Sequence, residues 1–290
     1  MAPWMTKRTF LERWSLRLVM LLIAIVMILP FLYVVSVSFS SYKDVVSANL
    51  VIFPLHPTLE AYQWVLSGGS ILQSFFNSVI ITAGGTAINM FMTTTMAYAL
   101  SRKNVPGLKL ILWMVLLTFL ISPTMITSYL VVRDMHLLGT WWALLLPGAI
   151  STFNLIVMRQ FFMGLPEELI DSARIDGASH LRILWSIVLP LSKASLAAIA
   201  LFYAVAHWNS FFNAVMYIND PQLYPLTLIL RQIVLQGTMP PDAATLSSTP
   251  PPNLTIQMAV VVITMVPILL VYPFLQKHFT KGVLTGSIKG

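Results

Sequence analysis

The chain has no cysteine among its 290 residues. Disulfides, thiolate zinc sites and thiol nucleophiles are therefore excluded. Charge is scarce too: 9% of residues are Asp, Glu, Lys or Arg, against about a quarter in ordinary soluble domains. With 57% of residues hydrophobic, burial in a core does not explain the deficit, and a membrane must be the solvent. The phosphate-cradling pattern G-x-x-x-x-G-K-[ST] is missing as well, so the chain does not hold a nucleotide by that loop.

What is present is a series of apolar runs. A basic start (Lys7, Arg8, Arg13, Arg17) precedes the run 18–39, and further runs cover about 71–100, 110–132, 140–162, 191–216 and 254–276. Each is near the ~20 residues that a spanning helix needs. A cleaved signal peptide is the rival reading of the start, but the first run is long and no A-x-A site follows it. The expected class is all-α, a polytopic membrane protein with six spans. Its parts are a segment 1–17 and a six-span domain 18–290, with an outside loop at 217–253 and a tail at 277–290. Pro240-Pro241 and Pro250-Pro251-Pro252 are expected to keep that loop irregular.

Cations set the orientation. With the N-terminus inside, inner segments hold 14 of the 17 Lys and Arg residues and outer segments hold Lys43, Arg133 and Arg231. This asymmetry puts both termini in the cytoplasm. It also reads the net charge of +7 as a topology signal, with no nucleic-acid partner implied. No Asp, Glu or Lys lies in the interior of a span; Lys193 sits at the inner end of the fifth and Arg159 near the inner end of the fourth. A proton-driven carrier usually keeps a carboxylate in the membrane. Energy for uphill transport must then come from another chain.

The place for it to arrive is the polar island 164–190, between the fourth and fifth runs. Four of the ten carboxylates (Glu167, Glu168, Asp171, Asp176) sit there beside Arg174, His180 and Arg182. Gly164 can end one helix and Pro166 can open the next. Glu167 and Glu168 complement that helix's dipole, Gly177 suits a left-handed stop, and Ser179 can cap a second helix. Leu181, Leu184, Trp185 and Val188 fall at i, i+3, i+4 and i+7, and Pro190 breaks the helix. An ordinary inside loop with a surface helix fits these residues equally well.

The island also resembles a known family. Permease subunits of bacterial ATP-driven (ABC) importers carry the cytoplasmic pattern EAA-x3-G-x9-I-x-LP. Asp171-Ser172-Ala173, Gly177, Ile187 and Leu189-Pro190 match its spacing throughout, with Asp171 in place of Glu and Ser172 in place of Ala. The run Ala173–Ala178, the basic start, Trp208-Asn209-Ser210-Phe211 and the end Lys281–Gly290 are similar to the carbohydrate type, including importers of uronate polymers such as alginate. The resemblance implies an oligosaccharide permease of the bacterial cytoplasmic (inner) membrane. Expected partners are a second homologous permease, two ATPase subunits that bind ATP and Mg, and an extracytoplasmic sugar-binding protein. No cofactor, metal or catalysis is implied for this chain itself.

In that family the island is the coupling helix. By position, Glu168, Asp171, Ser172, Ala173, Asp176 and Gly177 would meet the ATPase. Leu181, Leu184 and Trp185 would tie the second helix to the spans. The tail from Lys281 would contact the ATPases as well. Sugar paths need hydroxyl partners and rings, and the candidates are Asn154, Tyr203, His207, Trp208, Asn209 and Asn213, with Asn77 and Asn89. Each also has a plain packing role open to it, and Gly84-Gly85 reads as close helix packing. The competing functions are a stand-alone carrier, disfavoured by the bare spans, and a membrane-embedded transferase. The latter would need clustered acids or His, whereas Asp171 and Asp176, five apart, fall on different helix faces.

Overall fold

The computed structural model describes residues 10–47, 51–102, 106–121, 123–237 and 253–286. Among them every regular element is helical. In chain order these are α1 (Phe10–Ser38), α2 (Tyr42–Ser47), α3 (Glu60–Ser67), α4 (Ser70–Leu100), α5 (Leu108–Leu120), α6 (Met125–Asp134), α7 (Trp142–Leu145) and α8 (Thr152–Met163). Then follow α9 (Glu167–Ile175), α10 (His180–Ile183), a π-helical turn (Leu184–Val188), α11 (Leu189–Leu191), α12 (Lys193–Trp208), α13 (Phe211–Tyr217), a short 3-10 turn (Pro221–Leu223), α14 (Leu226–Gln236) and α15 (Asn253–Gly286). Among the described residues, three stretches are long and apolar enough to cross a membrane: Trp14–Ser38, Ser70–Leu100 and Asn253–Val271. The number rises to five if each of two bent helix pairs is one span.

The chain divides into two compact units, Met1–Gly69 with Met239–Ile263, and Ser70–Thr238 with Thr264–Gly290. In the first, Leu18–Val35 of α1 presents large apolar side chains outward along most of its length, as an apolar helix set in a membrane does. Its end is tied to the following loop. Ser36 Oγ donates to the Ile52 carbonyl, Thr58 N–H donates to the Phe39 carbonyl at 2.7 Å, and Ser40 bridges Pro57. The Phe39 and Tyr62 rings lie 4.9 Å apart.

In the second unit α4 is the central helix, with α12, α8, α14 and α7 packed against it. Its pattern is inverted relative to a soluble helix. Ser74, Asn77, Ser78, Gly85, Asn89, Thr93 and Thr94 are buried, while Leu72, Phe76, Ile80, Phe91 and Met92 are exposed. Small and hydroxylated residues let helix backbones approach within a membrane, and lipid takes the large apolar ones. An apolar cluster (Ala97, Tyr98, Leu155, Met158, Phe162, Ile183, Leu184, Val188, Ile199, Tyr203) fills the region between α4, α8 and α12.

The expected third, fourth and fifth spans are each broken. Pro123 lacks an N–H and cannot continue a helix's bond ladder; α5 ends at Leu120, and α6 restarts after its cap Thr124, whose side chain accepts from Thr127 N–H. Pro147-Gly148 interrupts the fourth, and Ser151 caps α8 by accepting from Asn154 N–H. In the fifth, Pro190 does not break the chain. It sits inside α11, after a π turn in which Leu189 N–H bonds the Leu184 carbonyl. The wider turn makes room for a proline ring that would otherwise strike a carbonyl one turn back. The 87° bend falls at Ser192 instead. The segment 217–253, expected as an outside loop, also holds more order than its prolines suggest. Apolar Leu226, Leu228, Ile229 and Ile233 bury one face of α14. The prolines at 240–241 and 250–252 lie outside the described residues, as do Lys7, Arg8 and residues 287–290 of the tail.

Candidate functional site

Two places in the second unit gather the polar candidates. The first is the island. Helix α9 begins after Pro166, with Glu167 and Glu168 in its first turn. Its only fully buried side chain is Ile170, 3% exposed in the apolar cluster. The helix stops in a pair of hydrogen bonds: Gly177 N–H donates to the Arg174 carbonyl at 3.0 Å and Ala178 N–H to the Ala173 carbonyl at 2.9 Å. This C-terminal motif requires positive φ at the residue after the cap, and Gly177 has φ 76°. Ala173 and Ala178 close it with their methyls packed on the cluster. Ser179 then caps α10 by accepting from Arg182 N–H at 3.3 Å.

Glu168, Asp171, Ser172 and Asp176 are exposed. Asp171 is 61% exposed and meets Arg174 of its own helix at 3.2 Å. Such a surface pair contributes ~0.5 kcal/mol or less. Ser172 Oγ donates to the Leu169 carbonyl. Of the residues expected to tie the second helix down, only Leu184 does so. Leu181 and Trp185 are 68% and 59% exposed, whereas Leu184 and Val188 of the stripe are buried with Ile183 beside them. The π turn widens the repeat from Leu184 to Val188, so the packing face runs through Ile183, Leu184 and Val188 and leaves Trp185 outside it. Ile175, 87% exposed at the tip of α9, was not among the expected contacts. An amphipathic reading assigns an isoleucine to the core, so only its place beside the Gly177 corner could have marked it.

Between α9–α10 and the end of α4 lies a cleft of about 700 Å³ lined by Tyr98, Arg102, Glu167, Asp171, Arg174 and His180, among others. Two arginines hold the α4 end. Arg159 Nε donates to the Leu100 carbonyl at 2.8 Å. The Arg102 guanidinium lies 4.7 Å over the Tyr98 ring and donates to Ser101 Oγ. Burial lowers the Arg102 pKa from its ordinary value, and the group stays charged.

The second place is a cavity of about 600 Å³. Asn154, Tyr203, His207 and Asn213 line it, together with Asn89, Ser128, Ser151, Ser210 and the rings of Phe153, Phe202 and Tyr217. Trp208 and Asn209 do not. Trp208 is 5% exposed, its ring 6.2 Å from Phe75 and nearly perpendicular to it. Asn209 Nδ2 donates to the Val205 carbonyl of its own helix at 2.9 Å. Three consecutive residues of a helix cannot all face one cavity, and His207 is the one that does. Asn77 donates to the Gln222 and Tyr224 carbonyls, so it fixes a loop.

Tyr203 joins three elements at the cavity wall. Its hydroxyl accepts from Ser151 N–H at 3.0 Å and lies 2.7 Å from Thr93 Oγ1. His207 lies against Gly85, where a Cβ would fall 2.4 Å from Nε2. The glycine is therefore what admits the imidazole. Asn89 Nδ2 donates to the Gly148 carbonyl at 3.2 Å. Asn89 Oδ1 and His207 Nε2 have no hydrogen-bond partner among the described residues. Amides, hydroxyls and ring faces suit a polyol, for which they supply donors, acceptors and stacking without strong charge. Among the described residues no group of three His, Cys, Asp or Glu could hold a metal ion.

Residues 94–285 match the family described as binding-protein-dependent transport system inner membrane component. That range contains the island and most of the cavity wall. The chain is 44% identical over 273 residues to the polygalacturonan/rhamnogalacturonan transport system permease protein YtcP of Bacillus subtilis, covering 93% of this chain and 96% of that one. It is 48% identical over 264 residues to Protein LplC of the same organism, covering 91% and 90%. Its fold is similar to a crystal structure of a bacterial ABC transporter involved in the import of the acidic polysaccharide alginate. That match has a TM-score of 0.89 and 27% identity, covering 96% of this chain and 100% of that one.

Proposed function

This chain belongs to the family of binding-protein-dependent transport system inner membrane components, and on that premise we propose that it forms one half of the path for an acidic oligosaccharide. Membership makes it a transport component and not an enzyme, and implies partner ATPases and a substrate-binding protein. The finer reading adds a second permease beside it, two ATPases carrying ATP and Mg, and an extracytoplasmic binding protein. Six crossings with both termini in the cytoplasm accord with the 14-to-3 distribution of cations. The broken third, fourth and fifth segments are then discontinuous spans. Such spans are tolerated where they line a cavity, and the breaks at Pro147-Gly148 and Ser210 do border one.

The carrying observation is the juxtaposition of the two sites. One apolar cluster contains Ile170 of α9 and Tyr98 of α4, beside the cleft, and Tyr203 of α12, beside the cavity. A push on α9 is thereby transmitted to the cavity wall through close-packed side chains. Glu168, Asp171, Ser172, Ile175 and Asp176 form the ATPase-facing surface, and Ala173 and Gly177 fix its shape. Asn89, Asn154, His207 and Asn213 meet the passing sugar, while Tyr203 holds the wall. The names of two similar proteins support uronate-containing oligosaccharides as the substrate class.

The test is reconstitution with both ATPases, the second permease and the binding protein. ATP hydrolysis stimulated by binding protein loaded with oligogalacturonide, and uptake of that sugar, is the expected outcome. Stimulation by neutral oligosaccharides alone would remove the acidic substrate. Uptake without ATPases would return the chain to a stand-alone carrier.

A further inference from the structure

The first connecting loop carries an apolar tip that nothing in the transport cycle explains. Phe53 and Leu55 are 76% and 79% exposed, on either side of Pro54. No Asp, Glu, Lys or Arg occurs from Val51 to Leu59. The tip is not loose. His56 N–H donates to Asp44 Oδ2 at 3.0 Å, and its Nδ1 lies 3.1 Å from Asp44 Oδ1. Thr58 N–H donates to the Phe39 carbonyl, and Ser36 Oγ donates to the Ile52 carbonyl.

The last two bonds fix the depth of the tip. Ser36 is in the final turns of α1, and Phe39 follows its end. Ile52 is held beside the first and Thr58 beside the second, so Phe53–Leu55 is level with the end of a spanning helix. Just below, Phe31, Leu32 and Val35 of α1 face outward. The tip thus lies at the end of an outward-facing apolar surface of a helix long enough to span a membrane. A solvated tip of this composition would be an exposed apolar patch, whereas the interface takes such side chains favourably.

We propose that Phe53–Leu55 is a membrane-interface anchor, seated among lipid headgroups at the end of α1. The Asp44–His56 clasp is the device that presents it.

The absence of cysteine makes the test direct. Phe53→Cys, Leu55→Cys and, as a control on the exposed Lys43, Lys43→Cys are each labelled with a nitroxide. The protein is reconstituted with cysteine-free partner subunits in vesicles of phosphatidylethanolamine and phosphatidylglycerol. Oxygen, which concentrates in the bilayer, and a neutral nickel chelate, which stays in water, then compete as relaxants. The expected result is a higher oxygen-to-nickel ratio at 53 and 55 than at 43, unchanged when the binding protein is added. A ratio at 53 and 55 equal to that at 43 overturns the proposal. So does shielding from both relaxants, or nickel access lost on adding the binding protein, which would assign the tip to a protein partner.

Discussion

The α9 segment and the cavity wall are both polar, and they hold their polar groups in opposite ways. On α9, Asp171 and Ser172 are exposed and engaged within their own helix, by Arg174 and the Leu169 carbonyl. In the wall, Tyr203 is 3% exposed and bound to two other elements. Exposed groups with local bonds can be given to a partner at little cost to the fold. Buried groups bonded across elements hold a shape, since leaving one unpaired costs ~1–3 kcal/mol. The contrast separates a surface made to be met from a frame made to stay.

The largest effect is expected from reversing charge on the surface made to be met. Asp171→Lys should bring coupled uptake to background while thermal stability stays within ~0.5 kcal/mol of the parent, as for surface changes generally. ATP hydrolysis and uptake measured in the same vesicles check it. Unchanged uptake would mean that α9 does not meet a basic partner at this position.

Gly85→Ala tests the frame, with a smaller effect on uptake and a larger one on stability. Its Cβ would fall 2.4 Å from His207 Nε2, so the ring must turn away or α4 and α12 must separate. Overpacking of this kind costs ~1–3 kcal/mol. The melting temperature of the purified complex should fall, and His207→Ala in the same chain should restore it. No rescue would place the strain elsewhere.

These two sites also differ in how far they could be read in advance. The α9 corner was legible because its determinants are local: Pro166, Gly177 and Ser179 act on the backbone within a few residues of themselves. The cavity was only half legible. Asn154, Tyr203, His207 and Asn213 fell on it, but Trp208 and Asn209 did not, because facing is set by where α4 packs. The breaks in the apolar runs were underread. Pro123 and Pro147 were visible, yet hydropathy averages over them, and a kinked span and a broken one have the same composition. The π turn had no sequence signal beyond Pro190, and Leu181 and Trp185 lie at the surface while Ile183, Leu184 and Val188 pack.

Tyr203→Phe sharpens the contrast from within the wall. It keeps the ring in the apolar cluster and removes one oxygen, leaving Ser151 N–H and Thr93 Oγ1 without that partner. The expected loss is ~1–3 kcal/mol of stability. If the wall transmits motion from α9, ATP hydrolysed per sugar imported should also rise. Lower stability with an unchanged ratio would make Tyr203 a packing residue.

The smallest effect is expected at the Asp44–His56 clasp, in the other unit, where a buried-type bond serves a surface feature. Hydrogen bonding from the His56 side chain, the largest influence, lowers the Asp44 pKa from its ordinary value. Burial opposes this, and the His56 N–H and Ser41 hydroxyl add to the lowering. A lowered folded-state pKa stabilises the clasp above the unfolded value of ~3.9 and loses that contribution as pH falls through the folded value. The loop should therefore hold at neutral pH and loosen only below about pH 4. A nitroxide at position 55 should gain mobility over that acid range, and Asp44→Asn should already be mobile at neutral pH with no further acid change. A transition well above that acid range would instead make a group other than the Asp44 carboxylate the element that holds the loop.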